Sequence, residues 1–344
     1  MNESSWLRAV DRPVCPAAAD AASAQDPPRA FGNAARLGIK VRGLRKSFGD
    51  MVVLDSVDLD VEQGTVFALL GPNGAGKTTV VRILSTLLNP DGGAVRVGGF
   101  DPVREAGRVR SVIGVTGQFS AVDNLLTGAE NLMLIAGLCH LERQAARRKA
   151  DELLRRFDLA DAATRTAATY SGGMRRRLDL AMTLVGEPRV IFLDEPTAGL
   201  DPRSRRTMWQ IVRELADYGI TLFLTTQDLD EADRLAGRIA VLDRGRIVAE
   251  GTPGELKQRI PGAHARLYFA DAGALERAAG VLTGSSRDND ALALRVPADG
   301  TPASLTALLA SLDRHDLRPE RITVQACDLD DVFLALTADP RQET

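Results

Sequence analysis

The feature that most constrains the fold is a glycine-rich loop that directly follows a short apolar run. Residues 66–70 (VFALL) are continuously apolar, which is typical of a buried parallel strand. They lead into residues 71–79, GPNGAGKTT, which fit the phosphate-loop pattern GxxxxGKT. Apolar residues at helical spacing follow over residues 78–88. We therefore expect a strand, a phosphate-binding loop and a helix in that order.

Each part of this loop suits the binding of a nucleotide. Glycines let backbone N–H groups point at phosphates, and a helix N-terminus favours their negative charge. Lys77 is expected to reach the β- and γ-phosphates, and Thr78 to ligate Mg²⁺. The alternative is a glycine-rich turn with a chance lysine. We predict ATP and Mg²⁺ as cofactors, with these nucleotide-binding residues: Gly71, Pro72, Asn73, Gly74, Ala75, Gly76, Lys77, Thr78 and Thr79.

A second apolar run, residues 190–193, ends in two adjacent carboxylates. Ligands of open α/β sheets bind at the carboxyl ends of the strands. Asp194 is expected to hold Mg²⁺, and Glu195 to polarise the attacking water as general base. A solvated turn is the alternative interpretation of the same two acids.

The remaining pattern predicts an α/β fold with a parallel core sheet. A β-rich opening begins near Ile39, residues 127–169 are wholly helical in pattern, and residues 220–225 form another buried strand after a helix over 203–218. We expect a flexible N-terminal tail (1–35), an ATP-binding domain (36–255) with a helical insertion at about 120–170, and a small C-terminal α+β domain (256–344).

Composition excludes several classes of protein. The formal net charge of -3 and the absence of a basic excess argue against a nucleic-acid partner. No apolar run approaches the roughly 18 residues that a membrane-spanning helix needs, and no secretory pattern opens the chain, so we expect a cytoplasmic protein. The three cysteines are expected to be free thiols, and no structural metal site is indicated.

The segment YSGGMR, residues 170–175, narrows the class of ATPase. It resembles the ABC signature, whose usual form is LSGGQ, with Tyr170 in place of Leu and Met174 in place of Gln. Ser171, Gly172 and Gly173 open a helix and so form a second anion site, or else only a helix cap. The resemblance implies a head-to-tail homodimer in which each ATP lies between the phosphate loop of one head and the signature of the other.

Further landmarks of the ABC family occur in order. Gln118 matches the Q-loop glutamine, which touches Mg²⁺ and water, and Phe48 stands where an aromatic ring stacks on adenine, unless it is a core residue. Asp201 matches the D-loop, which crosses the dimer interface. Gln227 stands where the family usually has a histidine that holds the γ-phosphate. The expected catalytic residues are thus Glu195, Gln227, Gln118 and Lys77, and the metal ligands Thr78, Gln118 and Asp194.

Four longer segments, residues 114–118, 126–132, 225–233 and 329–337, resemble the daunorubicin/doxorubicin-resistance exporter ATP-binding family. In that family a glutamine is familiar at the position of Gln227, which we call the switch glutamine. The resemblance implies an ATP-hydrolysing exporter subunit for a drug or antibiotic natural product, working with a separate integral membrane permease at the cytoplasmic side of the cell membrane. Two alternatives stay open: an ATP-binding regulatory protein with little turnover, and a soluble ABC ATPase not engaged in transport. The apolar stripe after Asp328 fits either core packing or a dimer contact.

Overall fold

The computed structural model describes residues 37–117, 121–258, 264–288, 291–297 and 302–325. Three features predicted from the sequence lie outside these residues: the N-terminal tail, Gln118, and the apolar stripe that follows Asp328. Within the described residues no helix combines the length and the apolar character needed to cross a membrane.

Thirteen strands and ten α-helices are described. The strands are β1 (Leu37–Phe48), β2 (Met51–Glu62), β3 (Val66–Leu70), β4 (Gly92–Val97), β5 (Ile113–Thr116), β6 (Val190–Asp194), β7 (Thr221–Thr226), β8 (Arg238–Asp243), β9 (Arg246–Gly251), β10 (His264–Tyr268), β11 (Ser286–Asp288), β12 (Ala293–Pro297) and β13 (Arg321–Gln325). The helices are α1 (Lys77–Leu84), α2 (Ala106–Arg110), α3 (Gly128–Leu138), α4 (Arg143–Arg156), α5 (Gly172–Thr183), α6 (Pro202–Asp217), α7 (Leu229–Leu235), α8 (Pro253–Gln258), α9 (Ala272–Val281) and α10 (Pro302–Arg314).

The core is a six-stranded sheet in the order β5-β6-β7-β3-β8-β9, parallel except for β9. Strands β3, β6 and β7 are buried along their whole length, which explains their continuous apolar sequences. Alternate residues point to opposite faces. Phe67, Phe192 and Phe223 pack in the hydrophobic cluster shared with α1 and the antiparallel sheet β2-β1-β4, whereas Ile191 and Leu222 pack in the cluster shared with α3 to α6.

The segment with a wholly helical pattern contains two α-helices, α3 and α4, which form the helical insertion. Thr127 and Glu130 form a capping box that starts α3, and the Glu142 carboxylate caps α4. The predicted helix over 78–88 is shorter than expected because α1 ends at Leu84. Thr86 has a left-handed φ of 67°, which turns the chain away from the helix axis.

The C-terminal segment contains an antiparallel sheet in the order β11-β12-β10-β13, together with α9 and α10. Its hydrophobic cluster includes Leu267, Leu275, Leu294 and Leu312. The described part of this segment contains both strands and helices, as expected for an α+β segment. That residues 256–344 fold as a domain of their own stays a prediction. The architecture as a whole is the expected α/β one, with a mostly parallel core sheet and a helical insertion, and the β-rich opening forms an antiparallel sheet with β4.

Candidate active site

The glycine-rich loop lies between the end of β3 at Leu70 and the first residue of α1, Lys77. Gly71 has no room for a side chain, because a Cβ atom there would lie 2.3 Å from the backbone oxygen of Leu242 in β8. Gly76 has a φ of 110°, a backbone conformation that residues with a side chain rarely adopt. Close packing against β8 therefore explains Gly71, and the backbone conformation explains Gly76.

Lys77 folds back over this loop and is only 5% exposed. Its Nζ donates to the backbone oxygens of Gly71, at 2.7 Å, and Pro72, at 3.1 Å, and lies 3.9 Å from Oε1 of Glu195. Burial lowers the pKa of Lys77, and the charges of Glu195 and Asp194 oppose that shift. The ammonium group is thus largely desolvated, and its hydrogen bonds go to neutral carbonyls, so an entering phosphate is a stronger partner.

The two predicted metal ligands outside residues 118–120 are in contact. The hydroxyl of Thr78 donates to Oδ2 of Asp194 at 3.2 Å, and the hydroxyl of Thr225 in β7 donates to Oδ1 of the same carboxylate. Hard oxygen donors of this kind suit Mg²⁺, which keeps several waters and binds through one or two protein ligands plus phosphates. Among the described residues, no group of three or more histidine, cysteine or acidic side chains is placed to hold a metal ion.

Glu195 follows β6 directly and has a left-handed φ of 48°. Its backbone N–H is anchored by the backbone oxygen of Thr225 at 3.1 Å. Its side chain lines a cavity of about 380 Å³ together with Lys77, Thr78 and other residues of the phosphate loop. It also lines a second cavity of about 220 Å³, which contains Gln227, Gly199 and Arg205. Glu195 therefore lies between the phosphate loop and the switch glutamine, and Gln227 itself is exposed.

The signature segment starts α5, as the sequence predicts. The Ser171 hydroxyl accepts from the backbone N–H of Met174 at 3.2 Å, and Ser171 and Gly172 are exposed. Gly173 is buried against α6, where a Cβ atom would lie 2.4 Å from Oγ of Ser204. The residues that line the cavity beside the phosphate loop do not include Ser171, Gly172 or Gly173. Within one chain, the described residues therefore place the signature outside that cavity.

Tyr170 has a structural role that the sequence does not reveal. Its ring is buried in the helical insertion, and its hydroxyl donates to the backbone oxygen of Ala162 at 2.7 Å. Burial raises the pKa of this hydroxyl. A Cβ atom at Gly128 would lie 2.2 Å from the tyrosine oxygen, so the glycine that opens α3 fits this tyrosine. The departure from leucine at position 170 thus concerns packing of the insertion.

Two further predicted nucleotide-site residues lie on the surface. Phe48, at the end of β1, is 51% exposed, so it is not a core residue, and Nζ of Lys46 lies 5.5 Å from its ring centroid. Asp201 caps α6 by accepting from the backbone N–H groups of Arg203 and Ser204, each at 2.9 Å. Hydrogen bonds from the Ser204 side chain and backbone lower the pKa of Asp201. Neither residue lines the two cavities beside Glu195.

Three residues near the site escape sequence reasoning: the part-buried Arg176 and the buried Asp179 and Glu231. Arg176 and Asp179 of α5 form an ion pair next to the loop that carries Glu195. Glu231 of α7 accepts hydrogen bonds from the Thr197 hydroxyl at 2.8 Å and from the Trp209 indole at 3.3 Å, and burial raises its pKa. Asp179 interrupts the apolar face of a predicted helix, which is the one sequence signal that a buried ion pair offers.

The chain is similar to known proteins over most of its length. The family described as "ABC transporter" matches residues 54–198. The chain is 50% identical over 306 residues to a daunorubicin resistance ATP-binding protein of Streptomyces coeruleorubidus, covering 88% of this chain and 97% of the relative. It is 37% identical over 309 residues to a Nod factor export ATP-binding protein I of Ralstonia nicotianae, covering 87% and 93%.

Two solved structures share the fold of the ATP-binding part. One is the ADP conformation of an ATP-binding cassette of an ABC transporter, at 27% identity and a TM-score of 0.59, covering 64% of this chain and 92% of that chain. The other is a dimeric ATP-binding cassette in a post-hydrolysis state, bound to ADP and Pi. Its identity is 26% and its TM-score 0.57, covering 62% of this chain and 98% of that chain.

Proposed function

The chain belongs to the ABC transporter ATP-binding family, as an ATPase of the daunorubicin/doxorubicin-resistance type, and on that premise we propose that it drives export of a drug or antibiotic natural product. The observation that carries the proposal is the meeting of the phosphate loop with the two acids that end β6. Lys77 lies 3.9 Å from Glu195, and Thr78 donates to Asp194 at 3.2 Å. These are the groups that phosphoryl transfer to water requires at one place.

In the proposed mechanism each residue has one task. Lys77 binds the β- and γ-phosphates and exchanges its two carbonyl partners for phosphate oxygens. Thr78 and Asp194 would hold Mg²⁺, whose charge would offset that of the phosphates. Glu195 accepts a proton from the attacking water as general base. Gln227, which lines the second cavity together with Glu195, donates a hydrogen bond to the γ-phosphate but carries no positive charge.

The signature completes the site from a second copy of the chain. Ser171 and Gly172 are exposed at the N-terminus of α5, so their backbone N–H groups are available to an anion brought by a partner. They do not line the chain's own phosphate cavity. One of the solved cassettes that share the fold is dimeric and bound to ADP and Pi, which supports a dimer as the functional unit. The proposed functional unit is a head-to-tail homodimer that ATP draws together and hydrolysis releases.

A groove lined by β5, α3 and α5 offers a docking place for the membrane subunit. It has a volume of about 640 Å³ and is lined by Ile113 and Val115 of β5, Ile135 of α3 and Met182 of α5. The edge strand of the core sheet and the helical insertion both contribute to it, so a bound segment senses their relative position. We propose that a cytoplasmic segment of a separate permease binds here and holds the chain at the membrane.

The composite site, in which the phosphate loop of one copy meets the signature of the other, is tested by mixing two inactive variants. Lys77→Ala damages the phosphate loop and Ser171→Arg damages the signature, so a mixed dimer keeps one intact site. At equal amounts the mixture should regain about a quarter of wild-type ATP turnover, since half of the dimers are mixed and each has one good site. The control mixes Lys77→Ala with Glu195→Gln, whose defects lie in the same half-site, and should recover nothing. No recovery in the first mixture contradicts the composite site.

Export is tested in inverted membrane vesicles that contain the chain together with its permease, with doxorubicin fluorescence as the readout. We expect ATP-dependent drug accumulation that is lost in the Lys77→Ala variant. ATP turnover without drug movement contradicts drug export. ATP binding without turnover, even in the presence of the permease, favours the regulatory alternative and makes Gln227 the residue to change.

A further inference from the structure

The guanidinium of Arg176 is the most heavily bonded charged group near the active site that the proposed mechanism does not use. The side chain is 12% exposed and projects from α5 toward the loop after β6. It donates hydrogen bonds to four backbone oxygens and one carboxylate. Burying a cation is unfavourable unless its donors are paired, and these five hydrogen bonds supply the partners that the Arg176 guanidinium needs.

Three of the four oxygens belong to consecutive residues that include the proposed general base. Arg176 donates to the backbone oxygens of Asp194 at 2.9 Å, Glu195 at 3.2 Å and Pro196 at 2.9 Å. In a strand successive carbonyls point to opposite sides, so these three oxygens face one guanidinium because the chain turns at Glu195, which has a left-handed φ of 48°. The guanidinium therefore stabilises a backbone conformation that glutamate seldom adopts.

The backbone oxygen of Gly117 and the carboxylate of Asp179 link this turn to the end of β5, the strand beside β6 in the core sheet. Arg176 donates to the backbone oxygen of Gly117, which follows β5, at 2.9 Å. Its Nη1 also lies 3.4 Å from Oδ2 of Asp179, which is 2% exposed and accepts from the backbone N–H of Ala121 at 3.0 Å. The ion pair thus holds Gly117 and Ala121 as well as the turn at Glu195.

We propose that Arg176 is a positioning residue for ATP hydrolysis, which it serves by fixing the turn that aims the Glu195 carboxylate into the nucleotide cavity. Asp179 keeps the guanidinium oriented and paired. The proposal rests on the role proposed above for Glu195. A planar guanidinium with five N–H donors is needed because a lysine ammonium, with its donors on one nitrogen, cannot reach all of these oxygens together.

The first test compares Arg176→Ala with Arg177→Ala. Arg177 is the next residue of α5, and it bonds the backbone oxygens of Phe157 and Asp158, away from the nucleotide cavity. Turnover is divided by the number of nucleotide-binding sites, so that unfolded protein does not count. We expect Arg176→Ala to lower kcat about 10-fold to 100-fold while KM changes less than about threefold, and Arg177→Ala to change neither by more than about threefold. Arg176→Lys should recover part of the loss.

The second test asks whether Arg176 acts through Glu195. Single-turnover hydrolysis is measured for Arg176→Ala in the wild-type and the Glu195→Gln backgrounds. A positioning role predicts that the change costs less than about threefold once the carboxylate is gone. A purely structural role predicts the same loss in both backgrounds and overturns the proposal. If Arg176→Ala does not fold, Arg176→Lys is used in the same cycle and must show the same non-additivity.

The outcomes separate this inference from the proposed function. If Glu195→Gln retains turnover, the role of Glu195 is wrong, whatever Arg176 does. If Glu195→Gln abolishes turnover while Arg176→Ala keeps its kcat, the general base stands and the positioning role of Arg176 is wrong. Loss of kcat in Arg177→Ala equal to that in Arg176→Ala also contradicts the proposal.

Discussion

The substitution Gly71→Ala tests whether the phosphate loop is held by close packing against β8. The new Cβ atom would lie 2.3 Å from the backbone oxygen of Leu242 and 3.4 Å from the Cβ of Ala75. Relief requires the loop and β8 to separate by about 1 Å, because ordinary carbon–oxygen contacts begin near 3.2 Å. Leu242 is fully buried and backbone atoms cannot rotate away, so the clash falls on the sheet itself.

Two effects follow from that displacement. Overpacking of a close-packed interior costs about 1–3 kcal/mol, and we expect the upper end because the partner is backbone. The Gly71 oxygen also accepts from Lys77, so the ammonium moves with the loop. A misplacement of about 1 Å near reacting groups costs about 100-fold in kcat/KM. Thermal unfolding and steady-state ATP hydrolysis measure the two effects separately.

Two other glycines serve as graded controls. Gly74 has a φ of 82°, but no atom would lie within 4 Å of an added Cβ atom, so Gly74→Ala should cost only about 1–2 kcal/mol of backbone strain. Gly107 in α2 has neither constraint, and Gly107→Ala should be neutral or stabilise by up to about 1 kcal/mol. If Gly71→Ala matches Gly107→Ala in both melting temperature and kcat/KM, the packing argument is refuted.

Three further predictions concern residues around the site. Gly128→Ala should cost about 1–3 kcal/mol because of the Tyr170 oxygen, and at least about 1 kcal/mol less in a Tyr170→Phe background, as a double-mutant cycle of unfolding free energies will show. Burial raises the pKa of Glu231 above its ordinary value of 4.5, so the folded chain holds this proton more tightly and the stability of the fold falls as pH rises. Glu231→Gln should remove that loss. The melting temperature of this variant, relative to that of the wild type, should therefore rise from about pH 5 to about pH 8. Gln227→Ala, at an exposed position, should leave the melting temperature unchanged and lower kcat about 10-fold, and an unchanged kcat contradicts a γ-phosphate contact.

Local signals explain how much of the fold and the site the sequence predicts. Strands β3, β6 and β7 are apolar throughout because both faces of the core sheet are covered, so each is recognisable on its own. The phosphate loop is equally local, since its glycines and Lys77 lie within seven consecutive residues. The meeting of Asp194 with Thr78 follows from the rule that ligands bind at the carboxyl ends of parallel strands.

Features that depend on distant partners are not predictable in this way. From the sequence, Arg176 and Asp179 are only charged residues of a helix, and their contact with the turn at Glu195 is visible only in the structure. Tyr170 is a departure from a motif until Ala162 and Gly128 are seen beside it. The end of α1 at Leu84 depends on the left-handed conformation of Thr86, which no residue preference of threonine indicates.

The central claim, that Glu195 is the general base of an ATPase site, is tested most directly by ATP turnover of the Glu195→Gln variant beside the wild type, with Mg²⁺ present. The substitution keeps the size of the side chain and removes the base. We expect kcat to fall by at least about 100-fold while ATP affinity stays within about threefold, because Lys77 and the phosphate loop are untouched. Turnover close to that of the wild type, with ATP bound normally, would contradict the account.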